Sequence, residues 1–239
     1  MSLRPSSTAD VRRRIGGSGV LPAVGGCLVL VLLLTVAREP LYRATAAFGT
    51  ALPGPLGALF EVVGELGIIV LLGAAAFLAW RARSRGLDHV AVAVAAAVTT
   101  VGAYVLSEVV KSLVGEERPC RTLAVHPLAA CPPPGDYSWP SNHAVIAASL
   151  ATAVVVLAPT WWRFAVPVAI AVGVSRVVTG AHYWHDVVTG VAVGVLVVWF
   201  ATWALVPWLH ARLEAWVDGS APDLVRRVVG EPVRERPEA

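Results

Sequence analysis

Charge is scarce in this sequence. Only 15% of its 239 residues are Asp, Glu, Lys or Arg, 56% are hydrophobic, and the mean hydropathy is +0.69. A soluble domain carries about a quarter charged residues, so a water-facing surface is excluded for most of this chain. The net charge of +3 lacks the strong basic excess of a nucleic-acid binder and argues against that partner. The three cysteines, Cys27, Cys120 and Cys131, form no Cys-x-x-Cys pair, which argues against a thiolate zinc site. No internal repeat is visible, which argues against an inverted-repeat transporter.

What remains is a set of long apolar runs. Six segments are expected to span a bilayer, near 20–37, 60–80, 89–110, 144–158, 163–181 and 187–209. Each must be helical, because a lone strand would leave its backbone groups unpaired in lipid. The frequent Gly (21) and Pro (17) are tolerated in such helices. The segment 144–158 is short for a span, so it extends outward through the Pro-Ser-Asn-His turn or sits inside the bundle. The expected fold class is all-α, a six-transmembrane-helix bundle over 20–209 with an N-terminal tail at 1–19 and a C-terminal tail at 210–239. The run after Arg12-Arg13-Arg14 exceeds the roughly 7–15 residues of a signal-peptide core, so it reads as an uncleaved first helix.

Orientation follows from the basic residues. Thirteen of the nineteen Lys and Arg fall on the face that carries both tails, Arg81, Arg83, Arg85 and Arg163. The richer face is expected to be cytoplasmic, which puts both termini inside. Cys120 and Cys131 then share an outer loop, where an oxidising exterior permits a disulfide. Cys27 reads as a small buried apolar residue.

Three polar clusters interrupt the apolar pattern, and helix counting sends all three to the outer face. They are Lys111 with Arg118-Pro119, then Ser141-Asn142-His143, then the stretch Ser175 to Asp186 holding Arg176, His182 and His185. Polar groups in a membrane protein mark function. Lys111, Arg118 and Arg176 would repel one another unless an anion sat among them, and arginine forks match phosphate oxygens. Ser141 and Asn142 add donors, and a helix starting there favours an anion at its N-terminus. His182 and Asp186 are four apart and share a helical face. With His143 they supply a nucleophile, its carboxylate support and an acid. The residues alone leave open which histidine attacks.

These residues, Lys111-x6-Arg118-Pro119, Pro140-Ser141-Asn142-His143 and Ser175-Arg176-x5-His182-x3-Asp186, resemble the three-part motif of the type 2 phosphatidic acid phosphatase family. One position departs: Asn142 stands where that family usually has Gly. The resemblance implies an integral membrane lipid phosphatase acting on a lipid phosphate or diphosphate at the outer membrane face. It implies a phosphohistidine on His182 supported by Asp186, His143 as the acid, and Lys111, Arg118, Ser141, Asn142 and Arg176 around the phosphate. It also implies no cofactor and no metal. A lipid phosphotransferase using the same site is an alternative, and a lipid or anion transporter with a phosphate-binding gate is a second, of another class.

The other polar residues take plainer roles. Glu108 either steadies Lys111 by charge or satisfies a neighbouring helix. Ser175 and His185 are candidates to support the site. Glu61 and Glu65 are expected on a solvated face. Arg38, Arg43 and Arg121 read as interfacial anchors, Tyr183 and Trp184 as members of an aromatic belt, and His89, His126 and His210 as surface or capping residues.

Overall fold

In a computed structural model, residues 20–219 are described, and among them the secondary structure is helical with no strand. The expected tail at 1–19 and the expected tail beyond residue 219 lie outside the described residues. Helix α1 (Val20–Val36) is followed after one residue by α2 (Arg38–Ala51), and the two are bent by 76°. Then come α3 (Gly54–Ala82), α4 (Leu87–Val114), the single turn α5 (Pro119–Thr122), α6 (Asn142–Leu157), α7 (Trp162–Val178) and α8 (Trp184–Gly219). Short 3-10 turns at Arg83–Arg85 and Pro159–Trp161 precede α4 and α7.

Four of these helices are long and apolar enough to cross a membrane, five if the bent pair α1–α2 is one span, and α6 is a shorter apolar helix. The chain is a multi-pass membrane protein. Its exposed residues agree: Leu28, Leu32, Leu33, Ile69, Val101 and Ile170 all face outward, which water would penalise and lipid does not.

The helix boundaries depart from the sequence expectation at four places. α3 starts at Gly54, well before residue 60, because Pro53 and Pro55 suit a helix N-terminus. α2 fills what reads as a loop, with Arg38 and Arg43 masking a helix whose buried residues are Tyr42, Ala46 and Gly49. α7 ends at Val178 rather than 181, and Gly180 turns the chain at a φ of 75°. α8 continues to Gly219, past the expected boundary at 209.

Helix α6 resolves the alternative left open for the short segment. Twelve of its sixteen residues are buried, and it touches α3, α4, α7 and α8. A helix enclosed by protein has no need to match the bilayer thickness. Cys27, expected to be buried, is only half-buried and free, because α1 packs against the bundle mainly through α8.

Small residues bring α8 against α6. A Cβ on Gly190 would lie 2.7 Å from the Ser141 carbonyl oxygen, and one on Gly194 would lie 2.6 Å from that of Val145. This Gly-x3-Gly stripe lets two backbones approach where apolar burial gives no drive between helices in lipid. It seats the first turn of α8 beside the start of α6. The alternating helix directions then gather Lys111 at the end of α4, His143 at the start of α6, Arg176 at the end of α7 and Asp186 at the start of α8 at one end of the bundle.

Gly194→Val is expected to destabilise the detergent-solubilised protein by about 2 kcal/mol, the usual scale of overpacking. Gly73→Ala, where a Cβ meets open space, should leave the melting temperature unchanged or raise it. Paired thermal melts check both.

Candidate active site

Asp186 sits at the bottom of the site, in the first turn of α8, with 0% exposure. A buried carboxylate needs several donors, and they come from three directions. Its Oδ2 accepts from the Ser138 hydroxyl at 2.5 Å and the Tyr183 N–H at 3.0 Å, and lies 3.2 Å from His182 Nδ1. Its Oδ1 lies 3.1 Å from His185 Nε2 but accepts no hydrogen bond. Its backbone carbonyl accepts from the N–H of Ser141, just before α6, at 3.2 Å.

His182 lies in the turn between α7 and α8 and is 2% exposed. With Nδ1 toward Asp186, its Nε2 faces Arg118, whose Nη1 is 3.1 Å away. Burial pushes the His182 pKa down to about 4, with the charges of Arg118 and Lys111 adding to the shift and Asp186 opposing it. The ring is therefore neutral near pH 7, with a lone pair on Nε2 as long as Nδ1 carries the proton toward Asp186.

The three cations expected around an anion converge here. Lys111 is buried in the last turn of α4, which Gly115 ends in the left-handed conformation at a φ of 64°. Its Nζ lies 3.6 Å from Asp136 Oδ1. Arg118 donates through Nη2 to the same oxygen at 2.9 Å, through Nε to the Asp136 carbonyl at 3.0 Å, and through Nη1 to the Ala181 carbonyl at 2.9 Å. Arg176, in the last turn of α7, reaches Thr179 Oγ1 at 3.3 Å and Glu65 Oε1 at 3.4 Å. Burial pushes the Asp136 carboxyl up, but the hydrogen bond and charge of Arg118, helped by Lys111, outweigh it and hold the group below the usual carboxylate range.

At the start of α6, Ser141 is fully buried and its Oγ has no hydrogen-bond partner; neither does Nε of Arg176. His143 Nε2 lies 2.9 Å from Glu65 Oε1. Asn142 spends both ends of its side chain on α4: Oδ1 accepts from Ser107 Oγ at 2.9 Å, and Nδ2 donates to Glu108. Glu108 thus satisfies α6, while the ion-pair partner of Lys111 is Asp136. Ser175 donates to the Val172 carbonyl within α7 and packs against Gly64 of α3. Cys120 and Cys131 are joined, with Cα atoms 6.0 Å apart, pinning α5 to the loop that carries Asp136 and Ser138.

Several residues stand elsewhere than expected. Glu65 is not simply part of a solvated face; it bridges His143 and Arg176. Arg38 pairs with Glu116 at 3.1 Å, because α2 lies across this end of the bundle. Arg121 pairs with Glu117 at 3.2 Å and donates to the Pro132 carbonyl. Tyr183 is buried edge-on against Tyr42, ring centres 5.4 Å apart, instead of standing in an aromatic belt. His210 lies 3.3 Å from Asp88, and His126 is exposed. Sequence reasoning missed Asp136, Ser138 and Glu65. None lies in the three motifs, and only their closeness in space marks them. Glu116, His185 and Asp186 bring ligand-type atoms within 4.8 Å of one another, but Arg38 already balances Glu116 and His182 shares Asp186.

The fold and this end of it define a class: a multi-pass helical membrane protein with a buried, cation-lined histidine site. Residues 90–209 match the model of the PAP2 superfamily, and the chain belongs to that superfamily. It is similar to an undecaprenyl-diphosphatase of Sulfolobus acidocaldarius, 36% identical over 99 residues, which cover 41% of this chain and 47% of that protein. The match thus spans about half the length of that curated relative. In fold it is similar to a transmembrane PAP2-type phosphatidylglycerolphosphate phosphatase from Bacillus subtilis, solved by crystallography, with a TM-score of 0.50 and 20% identity over 79% of this chain and 96% of that one.

The depressed His182 pKa has a stability consequence. Between about pH 6.5 and 4 the unfolded chain binds a proton there that the folded site refuses. Stability should therefore fall as pH drops through that window, by up to about 3 kcal/mol. The melting temperature of the His182→Asn variant should depend less on pH over the same interval.

Proposed function

We propose that this protein is an integral membrane lipid phosphatase, removing phosphate from a lipid phosphomonoester or diphosphate through a phosphohistidine on His182. One observation carries the reading: His182 has Nδ1 fixed on a fully buried carboxylate and Nε2 turned to the buried Arg118. A neutral ring held this way is an activated nucleophile.

In the proposed reaction Nε2 attacks phosphorus while the bond from phosphorus to the leaving oxygen breaks, and His143 gives that oxygen a proton. Asp186 stabilises the His182 ring as it gains positive charge. Water, losing its proton to His143, then attacks the phosphohistidine and releases phosphate, restoring both histidines. Lys111, Arg118 and Arg176 hold the equatorial oxygens, where charge gathers. The unpartnered Ser141 Oγ and Arg176 Nε support an acceptor in this place. Because the Asn142 side chain is engaged with α4, its contribution falls to its backbone N–H at the α6 N-terminus. The chain's own cations provide the charge balance, so the reaction proceeds without a metal or other cofactor.

The site is assigned to the extracytoplasmic face of a six-crossing bundle with both termini inside. The remote end carries Arg81, Arg83, Arg85, Arg163 and Arg212, as a cytoplasmic end does, and the site end carries the joined cysteines. A lipid tail then stays in the bilayer while its head reaches the histidines. The substrates of both relatives named above fit this description.

In detergent micelles containing EDTA, the protein should release phosphate from polyprenyl diphosphate, phosphatidic acid or phosphatidylglycerol phosphate. His182→Ala should lose activity by several orders of magnitude, and acid-labile phosphate trapped on the intact protein should be absent from the variant. Lipid-phosphate binding without release by either protein would favour the transporter reading.

A further inference from the structure

Among the described residues, Glu65 is the acidic side chain outside the three motifs that pairs with His143. Its Oε1 lies 2.9 Å from His143 Nε2 and 3.4 Å from Arg176 Nη1. The close approach is built into α3. The preceding residue, Gly64, has no side chain, and a Cβ there would lie 2.9 Å from Ser175 Oγ and 3.0 Å from Arg176 Nη1. The carboxylate is 66% exposed at the mouth of the site, whereas Lys111, Arg118 and Arg176 are buried. One oxygen thus contacts both the acid and a phosphate-holding cation, the position a leaving oxygen would take.

We propose that Glu65 is the positioning residue for His143 and biases the site toward phosphomonoesters over diphosphates. The inference rests on the phosphatase reading above. Two physical effects act in the same direction. A monoester leaves as an alkoxide, a strong base that must be protonated as it departs, so it depends on a His143 held charged and correctly turned. A diphosphate leaves as a phosphate monoester, already a stable anion that has little need of the acid. That leaving group also carries negative charge into the place where Glu65 stands, and like charges at such a distance repel. The carboxylate therefore helps the first substrate and hinders the second. Its exposure leaves it free to move aside once the leaving oxygen has taken its place on His143.

The test compares farnesyl phosphate with farnesyl diphosphate, which share one chain, in detergent micelles, using the intact protein, Glu65→Gln and His182→Ala. Glu65→Gln keeps the size and removes the charge of an exposed side chain, so the fold is retained. For this variant kcat/KM on the monoester should fall about tenfold, near the low end of what general acid catalysis supplies, while the value on the diphosphate holds or rises. The monoester-to-diphosphate ratio then drops at least about tenfold. A role confined to holding Arg176 or α3 in place would lower both substrates alike, and that result overturns the proposal. So does an unchanged ratio or one that moves the other way. Cleavage by the intact protein and its loss in His182→Ala report separately on the phosphatase reading: if the intact protein cleaves neither substrate, that reading itself fails.

Discussion

A carboxylate with no access to water organises this end of the molecule. Asp186 cannot stay ionised inside the bundle without donors, and no single element supplies enough of them. Ser138 comes from the loop between α5 and α6, and His182 and Tyr183 come from the α7–α8 turn. Its carbonyl meanwhile holds the N–H of Ser141 at the entrance to α6. Satisfying one buried charge thus fixes three chain segments relative to one another. Those segments carry the His182 ring, the proposed nucleophile, and the start of the helix that bears His143. Stability and site geometry are here one requirement, since a partly satisfied buried network is worse than an apolar one.

The cations impose the opposite problem. Lys111, Arg118 and Arg176 are nearly as buried as Asp186, and unpaired buried charges are expensive. The chain answers with Asp136 on the first two and Glu65 on the third. Both carboxylates are more exposed than the cations they serve. The buried members are the fixed ones, anchored at helix ends and to backbone carbonyls, while their counter-charges sit at the mouth.

The sequence made the chemistry easier to read than the scaffold. Ten identities at fixed spacing mark Lys111, Arg118, Ser141, His143, Arg176, His182 and Asp186, and the fold brings these side chains to one end of the bundle. Alternating helix direction was enough to send them to one end. What stayed hidden depends on packing. α2 reads as a polar loop because Arg38 and Arg43 lower its apolar content, yet it covers the site through Tyr42, which donates to the Gly180 carbonyl at 3.0 Å. Asp136 and Ser138 lie in a Pro- and Gly-rich loop without periodicity, and a disulfide and backbone bonds hold it where it is needed. Glu65 looks like one of a solvated pair, because the glycine that lets α3 approach Arg176 has no side chain to advertise a contact.

The two sets of charges differ in how readily they can change partners. Moving Asp136 away from Arg118 and Lys111, or Glu65 away from Arg176, returns a carboxylate to water at the mouth, where hydration replaces what the ion pair supplied. Moving a cation instead would mean unwinding the end of α4 or α7. On the proposed reading, an arriving phosphate would exchange with the carboxylates on the cations and leave the helices in place. It would meet donors that are already aligned, so little reorganisation would oppose the developing charge. The same exchange sets a limit on affinity, because every cation the phosphate gains is one that a carboxylate gives up. A site that must release inorganic phosphate after each turnover would be served by that limit: on the proposed reading, the chain's own carboxylates compete for the cations and favour departure of the product.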